Sequence, residues 1–185
     1  GDDTTLTVYE TIHGVLINDH LPIKSNEPIS MYWNYTALDN QLLEAFYQLN
    51  RADNMRAFEQ GVEMIASPGL NVTYGDASGN IAHWSASKLI IRSDSSNGKF
   101  YGKGDALNWN FQGYYGFNAN PKIINPERAF VYSANQMHDT TEGALYPGYY
   151  APDSRADRIE DLLQDHSNAT MESVQKLMLD NVSDT

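Results

Sequence analysis

The sequence predicts an α+β fold of mostly antiparallel strands with helices. Three observations carry this: apolar/polar alternation near the N-terminus, a change to helical spacing at Leu42, and a return to alternation around one hairpin turn. In "TLTVYETIHGVLIN" the apolar positions Leu6, Val8, Ile12, Val15 and Ile17 lie on either side of Gly14, which predicts two short strands with a bulge or turn between them. "ISMYWNYTALD" continues the β pattern through Tyr32 and Tyr35. Leu42, Leu43, Phe46 and Leu49, and then Met55, Phe58, Val62 and Ile65, recur every three or four residues, so two helices follow before the breaker "SPG".

Past the breaker, "LNVTYGDASGNIAHWSAS" predicts a hairpin, because Asp76, Gly79 and Asn80 supply the tolerance of positive φ that a tight loop requires. From Asp94 to Asn125 the chain is rich in Gly, Asn, Ser and aromatic residues without a stable period. That predicts a long irregular loop holding one short extended piece at "WNFQGYY". A buried strand is expected at Phe130, Val131 and Tyr132, ending in "SANQ". After the turn-like "LYPGYYAPDS", two amphipathic helices close the chain. In "RADRIEDLLQDH", Ile159, Leu162 and Leu163 share a face; "MESVQKLMLD" can be capped by Thr170, with Glu172 well placed in its first turn.

A chain of 185 residues is one domain by size, able to bury roughly 70% of its extended surface, and 41% hydrophobic residues suit a globular core. Twelve Lys and Arg face 24 Asp and Glu, a net charge of −12 that repels phosphate backbones and anionic lipid surfaces, so neither nucleic acid nor a membrane is an expected partner. No apolar run approaches 18 residues, and no signal peptide is visible. The absence of cysteine removes disulfides, thiol nucleophiles and cysteine metal sites. A chain that opens as "GDDTTLTVYET" enters a strand pattern almost at once and reads as a domain cut from a longer protein.

Several motifs invite chemistry. "SASK", Ser85 to Lys88, matches S-x-x-K, but it falls at a strand end instead of a helix start and lacks companion motifs in the right order. The histidines at 13, 20, 83, 138 and 166 show no metal-ligand spacing, and "DSSNG" lacks the acidic pattern of a calcium loop. Trp109, Phe111, Tyr114, Tyr115 and Phe117, with Tyr149 and Tyr150, form an aromatic cluster. Such a cluster packs a core, or serves a stand-alone secreted ligand-binding module, which is the alternative functional reading. Asn135 reads either as a strand-end cap or as a hydrogen-bond donor delivered by the strand before it.

Taken as an ordered set, "YTALDNQLLEAFYQLNRADNMRAFEQGVEMIASPGLNVTYGDASGNIAHW", "NANPKIINPERAFVYSANQ" and "YAPDSRADRIEDLL" resemble the penicillin acylase (penicillin amidase) family of N-terminal nucleophile hydrolases. The resemblance implies part of a four-layer αββα fold and amide hydrolysis by a serine at a newly made chain terminus. The α-amine of that serine, with an ordinary pKa near 7.7 to 8.0, would be the base. Gly1 has no nucleophilic side chain, so residues 1–185 are expected to be an internal fragment of the large subunit, inactive alone. Its partners would be the small subunit and the N-terminal large-subunit segments of the same precursor, and its substrate a small acyl amide of penicillin or N-acyl homoserine lactone type.

By the same resemblance Asn135 in "SANQ" falls on the asparagine that donates to the tetrahedral oxyanion, and Arg158 in "RADRI" on the arginine that organises the nucleophile and substrate region. Without it, Arg158 reads as a surface ion pair with Asp157 or Glu160. Phe46 and Leu70 fall near positions lining the acyl pocket, although both also fit a core. The family implies export to the periplasm or beyond. It also often holds a structural calcium, but Tyr149 and Tyr150 stand where a carboxylate ligand would follow the "YP" element, so no cofactor is expected in this segment.

Overall fold

The computed structural model describes residues 1–22, 24–92, 100–105, 112–137, 146, 148–164 and 169–182. Two antiparallel three-stranded sheets and five helices organise them. The first sheet runs β1 (Glu10–Thr11), β2 (Gly14–Leu16), β3 (Ser30–Met31) in sequence order. Gly14 makes it possible: its φ is +106°, and a Cβ there would stand 2.2 Å from the Met31 carbonyl oxygen, so only glycine lets β2 lie against β3.

The β pattern expected through Tyr32 and Tyr35 stops at Met31. The chain turns into the short helix α1 (Asn34–Ala37), where the Thr36 and Ala37 amides both donate to the Trp33 carbonyl. Asn34 supplies the reason, because its Nδ2 donates to the Lys88 carbonyl at 3.0 Å while its Oδ1 accepts from the Tyr114 hydroxyl at 3.3 Å. These bonds tie the segment to the chain beyond the hairpin and divert it from the first sheet.

Helices α2 (Leu42–Arg51) and α3 (Met55–Glu63) form where the spacing predicts them, with Asn54 capping α3 by accepting from the Ala57 amide at 2.9 Å. They cover one face of the second sheet. Its strands β4 (Leu70–Gly75) and β5 (Ile81–Ala86) pair over six positions from Leu70–Ala86 to Gly75–Ile81. In the turn, the Asp76 carboxylate accepts from the amides of Ser78 and Asn80 and from the Asn80 side chain. Those donors, the Asn80 side chain first, hold its pKa below the usual carboxylate value.

Alternation assigns the two faces of the hairpin. Leu70, Val72 and Tyr74, with Ala82, Trp84 and Ala86 opposite, point to the helices and meet Ala45, Val62 and Ile65 in the core. Trp84 is fully buried beside Phe58, its indole N–H donating to Glu59 at 3.1 Å. Asn71, Thr73, His83 and Ser85 take the opposite face.

Strand β6 (Lys122–Ile124), inside the stretch read as loop, pairs with Ala82–Trp84. Three residues are too few to show an alternation. Conversely, the strand expected at Phe130–Tyr132 does not form. Arg128 stacks over Phe130 and Tyr132, with its guanidinium carbon 5.0 and 5.3 Å from the two ring centroids, and pairs with Glu160 of α4 (Ser154–Gln164). The Tyr132 hydroxyl donates to the same carboxylate at 3.1 Å. The segment is therefore docked on a helix by its side chains and not held in a ladder.

The last helix, α5 (Met171–Met178), begins as expected at Thr170, whose hydroxyl accepts from the Ser173 amide while Ser173 accepts in return from the Thr170 amide. No helix among the described residues is long and apolar enough to cross a membrane.

Candidate active site

The site lies over the sheet face opposite the helices. Asn71 and Ser85, a cross-strand pair of β4 and β5, line a cleft of about 210 Å³ together with Leu89, Asn135, Tyr149 and Tyr150. A scaffold of amides holds its floor. Buried Asn120 donates from Nδ2 to the carbonyls of Ser85 (2.9 Å) and Ser87 (2.8 Å), and the Ser85 amide donates to the Pro121 carbonyl at 2.9 Å. Ser85 is thus an extended strand residue, not the helix-start serine that an S-x-x-K nucleophile requires.

Tyrosines wall one side. The Tyr146 hydroxyl donates to the Ile90 carbonyl at 3.1 Å, and the Tyr150 hydroxyl donates to the Tyr146 carbonyl. Burial, with Tyr146 nearby, pushes the Tyr150 phenol above its ordinary pKa, so it stays a neutral donor. Elsewhere the Tyr114 phenol is pushed up in the same way, by burial first and by its bond to the Tyr32 hydroxyl at 2.9 Å.

Asn135 enters the cleft from the segment after β6. Its backbone is in the left-handed region, φ +63°, a conformation that asparagine tolerates better than most residues. The Ala151 amide donates to its carbonyl at 2.7 Å. Arg155, in the first turn of α4, donates from Nη2 to the Asn135 Oδ1 at 2.6 Å and to the carbonyl of Ala134. A guanidinium has only donors, so the atom facing it must be the amide oxygen, and the Nδ2 group is the end of the side chain directed elsewhere.

Arg158 stands one helical turn further on and is committed differently. Its Nε and Nη2 donate to the two carboxylate oxygens of Asp180 at 3.2 and 2.7 Å. This fork clamps α4 to the end of α5, and its hydrogen bonds pull the Asp180 pKa below the carboxylate norm. Neither Asp157 nor Glu160 is the partner in this clamp. Arg155 and Asp180 were not singled out by sequence reasoning; the signal that existed was the i, i+3 spacing of Arg155 and Arg158, which sets both on one side of α4.

Phe46 and Leu70 do not line this cleft. Phe46 is 43% exposed on α2, and Leu70 packs against the core because the β4 alternation turns Asn71, not Leu70, toward the cleft. Of the aromatic cluster, Tyr149 and Tyr150 are at the cleft, whereas Trp109 and Phe111 lie outside the described residues, as do His138, His166 and the "DSSNG" turn. His13, on the first sheet's turn, bonds the Gly104 carbonyl at 2.8 Å through Nε2. Among the described residues no group of three or more His, Asp or Glu side chains is placed to hold a metal ion, and Tyr149 is exposed.

Comparison with known proteins adds three findings. A curated relative, the acyl-homoserine lactone acylase QuiP of Pseudomonas fluorescens strain Pf-5, is 28% identical over 130 residues, which is 70% of this chain and 16% of that protein. Among solved structures, the thermostable penicillin G acylase of Alcaligenes faecalis superposes with a TM-score of 0.74 at 22% identity, over 96% of this chain and 31% of that one. The chain thus spans under a third of either relative, and its mixed helix and antiparallel-sheet arrangement is that of part of an N-terminal nucleophile hydrolase fold. The family model described as penicillin amidase matches residues 1–185 in full, so this chain belongs to the penicillin amidase family.

Proposed function

We propose that residues 1–185 supply the oxyanion-binding side of the active site of an exported acyl-amide hydrolase. In this reading residues 1–185 form a single domain that is an internal part of the large subunit, and the terminal serine nucleophile comes from a segment outside it. The observation that carries the reading is the state of Asn135: it lines the cleft with its amide oxygen bound to Arg155, which leaves Nδ2 as the donor for a developing oxyanion. Tyr149 and Tyr150 border the same cleft and would face the substrate's acyl or amine portion; Phe46 and Leu70 would act from the acyl side only through the helices and core they belong to. Arg158 contributes by fixing α4, on which Arg155 rides.

The mechanism these residues support is limited to charge stabilisation. As a nucleophile adds to the amide carbonyl, its oxygen becomes anionic, and a preset N–H donor stabilises that state more than the neutral ground state. The substrates that fit are small acyl amides of the penicillin or N-acyl homoserine lactone type, in keeping with what the relatives are named for. The test uses the full-length protein carrying this chain. Asn135→Ala should lower kcat on such an amide by roughly 10² to 10³ fold, the usual loss for one oxyanion donor. Unchanged turnover would remove Asn135 from the reaction.

A further inference from the structure

We propose that Arg92 is a carboxylate-binding residue at the edge of the cleft, and that the acyl amides best taken there carry a carboxylate on their amine portion. Given the hydrolysis proposed above, on which this rests, the substrates narrow to one chemical type. Their amine portion is an anion, as in a penicillin or an N-acyl amino acid, and not a neutral lactone.

Burial and pairing single Arg92 out. Five Lys and Arg are half-buried among the described residues: Lys88, Arg92, Lys122, Arg128 and Arg158. Lys122 meets Glu59, Arg128 meets Glu160 and Arg158 meets Asp180. Arg92 meets a neutral group instead, donating from Nε to the Tyr146 hydroxyl at 3.3 Å, and no carboxylate among the described residues bonds it. Taking a guanidinium out of water costs free energy unless an anion comes with it. The chain has 24 Asp and Glu for 12 Lys and Arg, yet none of those described is set against this one. Lys88 has no such partner either, but of the two only Arg92 is bonded to a side chain that lines the cleft.

Tyr146 presents the charge. Its ring lines the cleft together with Asn135; its hydroxyl donates to the Ile90 carbonyl at 3.1 Å and accepts from Arg92, and its own carbonyl accepts from the Tyr150 hydroxyl. The tyrosine is thus fixed at both ends, and Arg92 Nε with it. The Nη1 and Nη2 groups keep four N–H donors in one plane, a fork that matches the two oxygens of a carboxylate. Arg155, the other cation beside the cleft, is turned onto Asn135 Oδ1 and the Ala134 carbonyl. In a cleft of about 210 Å³ one small molecule can reach both walls, with its scissile carbonyl at Asn135 and its carboxylate beside Tyr146 and Arg92. The net charge of −12 repels anions at a distance, so accepting one here takes a local cation.

The experiment uses the full-length protein and one N-acyl homoserine in three forms that share the acyl chain: the free carboxylate, its primary amide and its lactone, the last two neutral. For wild type, kcat/KM on the carboxylate should exceed that on the primary amide by about 10- to 100-fold, the strength of a charge-assisted pair, and the difference should lie mainly in KM. Arg92→Ala should bring this ratio to about one. Arg92→Lys should leave it in between, because a point charge holds a carboxylate less well than the fork. A wild-type ratio of one or below overturns the proposal without any variant, so a poorly folding Arg92→Ala cannot shelter it. A high ratio kept in Arg92→Ala overturns it as well. So does an equal fold loss on all three substrates with a lowered melting temperature, which would make Arg92 the structural partner of a carboxylate elsewhere in the longer protein. Turnover of none of the three by wild type, or unchanged turnover in Asn135→Ala, overturns the hydrolase reading beneath. A wild-type ratio of one with Asn135→Ala impaired overturns the role of Arg92 alone.

Discussion

Two arginines three residues apart on α4 do different work, and only their partners tell them apart. Arg155 faces the carbonyl of Ala134 and the side chain of Asn135, whereas Arg158 forks onto Asp180. The Asp180 clamp has a definite pH sign. Its folded pKa is lowered, first by the Arg158 hydrogen bonds, so the stability it contributes is present above the unfolded value near 4 and is lost as pH falls through the folded one. Amide protection in α5 should therefore drop below about pH 4, and Asp180→Asn should lower it already at pH 7. Equal α5 protection in wild type and variant at neutral pH would show that the clamp carries nothing.

At the scale of elements, the fold was legible where its cause is local. The periodicity of Leu42–Leu49 and Met55–Ile65, the "DASGN" turn and the Thr170 cap each specify their element within a few residues, and α2, α3, the β4–β5 hairpin and α5 follow. What failed to show depends on distant partners. Val131 sits in a β-rich run, but Arg128 and Tyr132 bind Glu160 on α4, far along the chain, and no ladder forms there. Asn135 was legible as a candidate donor; that its amide oxygen is bound by Arg155, while Arg158 pairs with Asp180, depends on which turn of α4 reaches it. The α2–α3 contact gives an element-scale prediction. A Cβ on Gly61 would lie 3.0 Å from the Leu49 Cγ and 3.1 Å from the Leu49 backbone nitrogen, and the latter cannot move aside by a rotamer change. Gly61→Ala gains about 1 kcal/mol of helix propensity, but overpacking of this kind costs about 1–3 kcal/mol, so melting should fall. A higher melting temperature would mean the helices separate without cost.

For the whole molecule, the chain is a member of the penicillin amidase family that covers 31% of the penicillin G acylase and 16% of the homoserine lactone acylase it matches. In the proposed function this segment contributes a donor, held by a positive charge, to the site at which the amide carbonyl reacts. Asn135→Asp tests it most directly, because aspartate has the same shape, accepts the left-handed backbone and pairs with Arg155 at least as well, so folding should be preserved while the donor becomes an acceptor. In the full-length protein we expect a melting temperature at or above wild type and a kcat on an acyl amide lower by about 10² to 10³ fold or more. Wild-type kcat in a folded Asn135→Asp variant would show that no donor at this position serves the reaction.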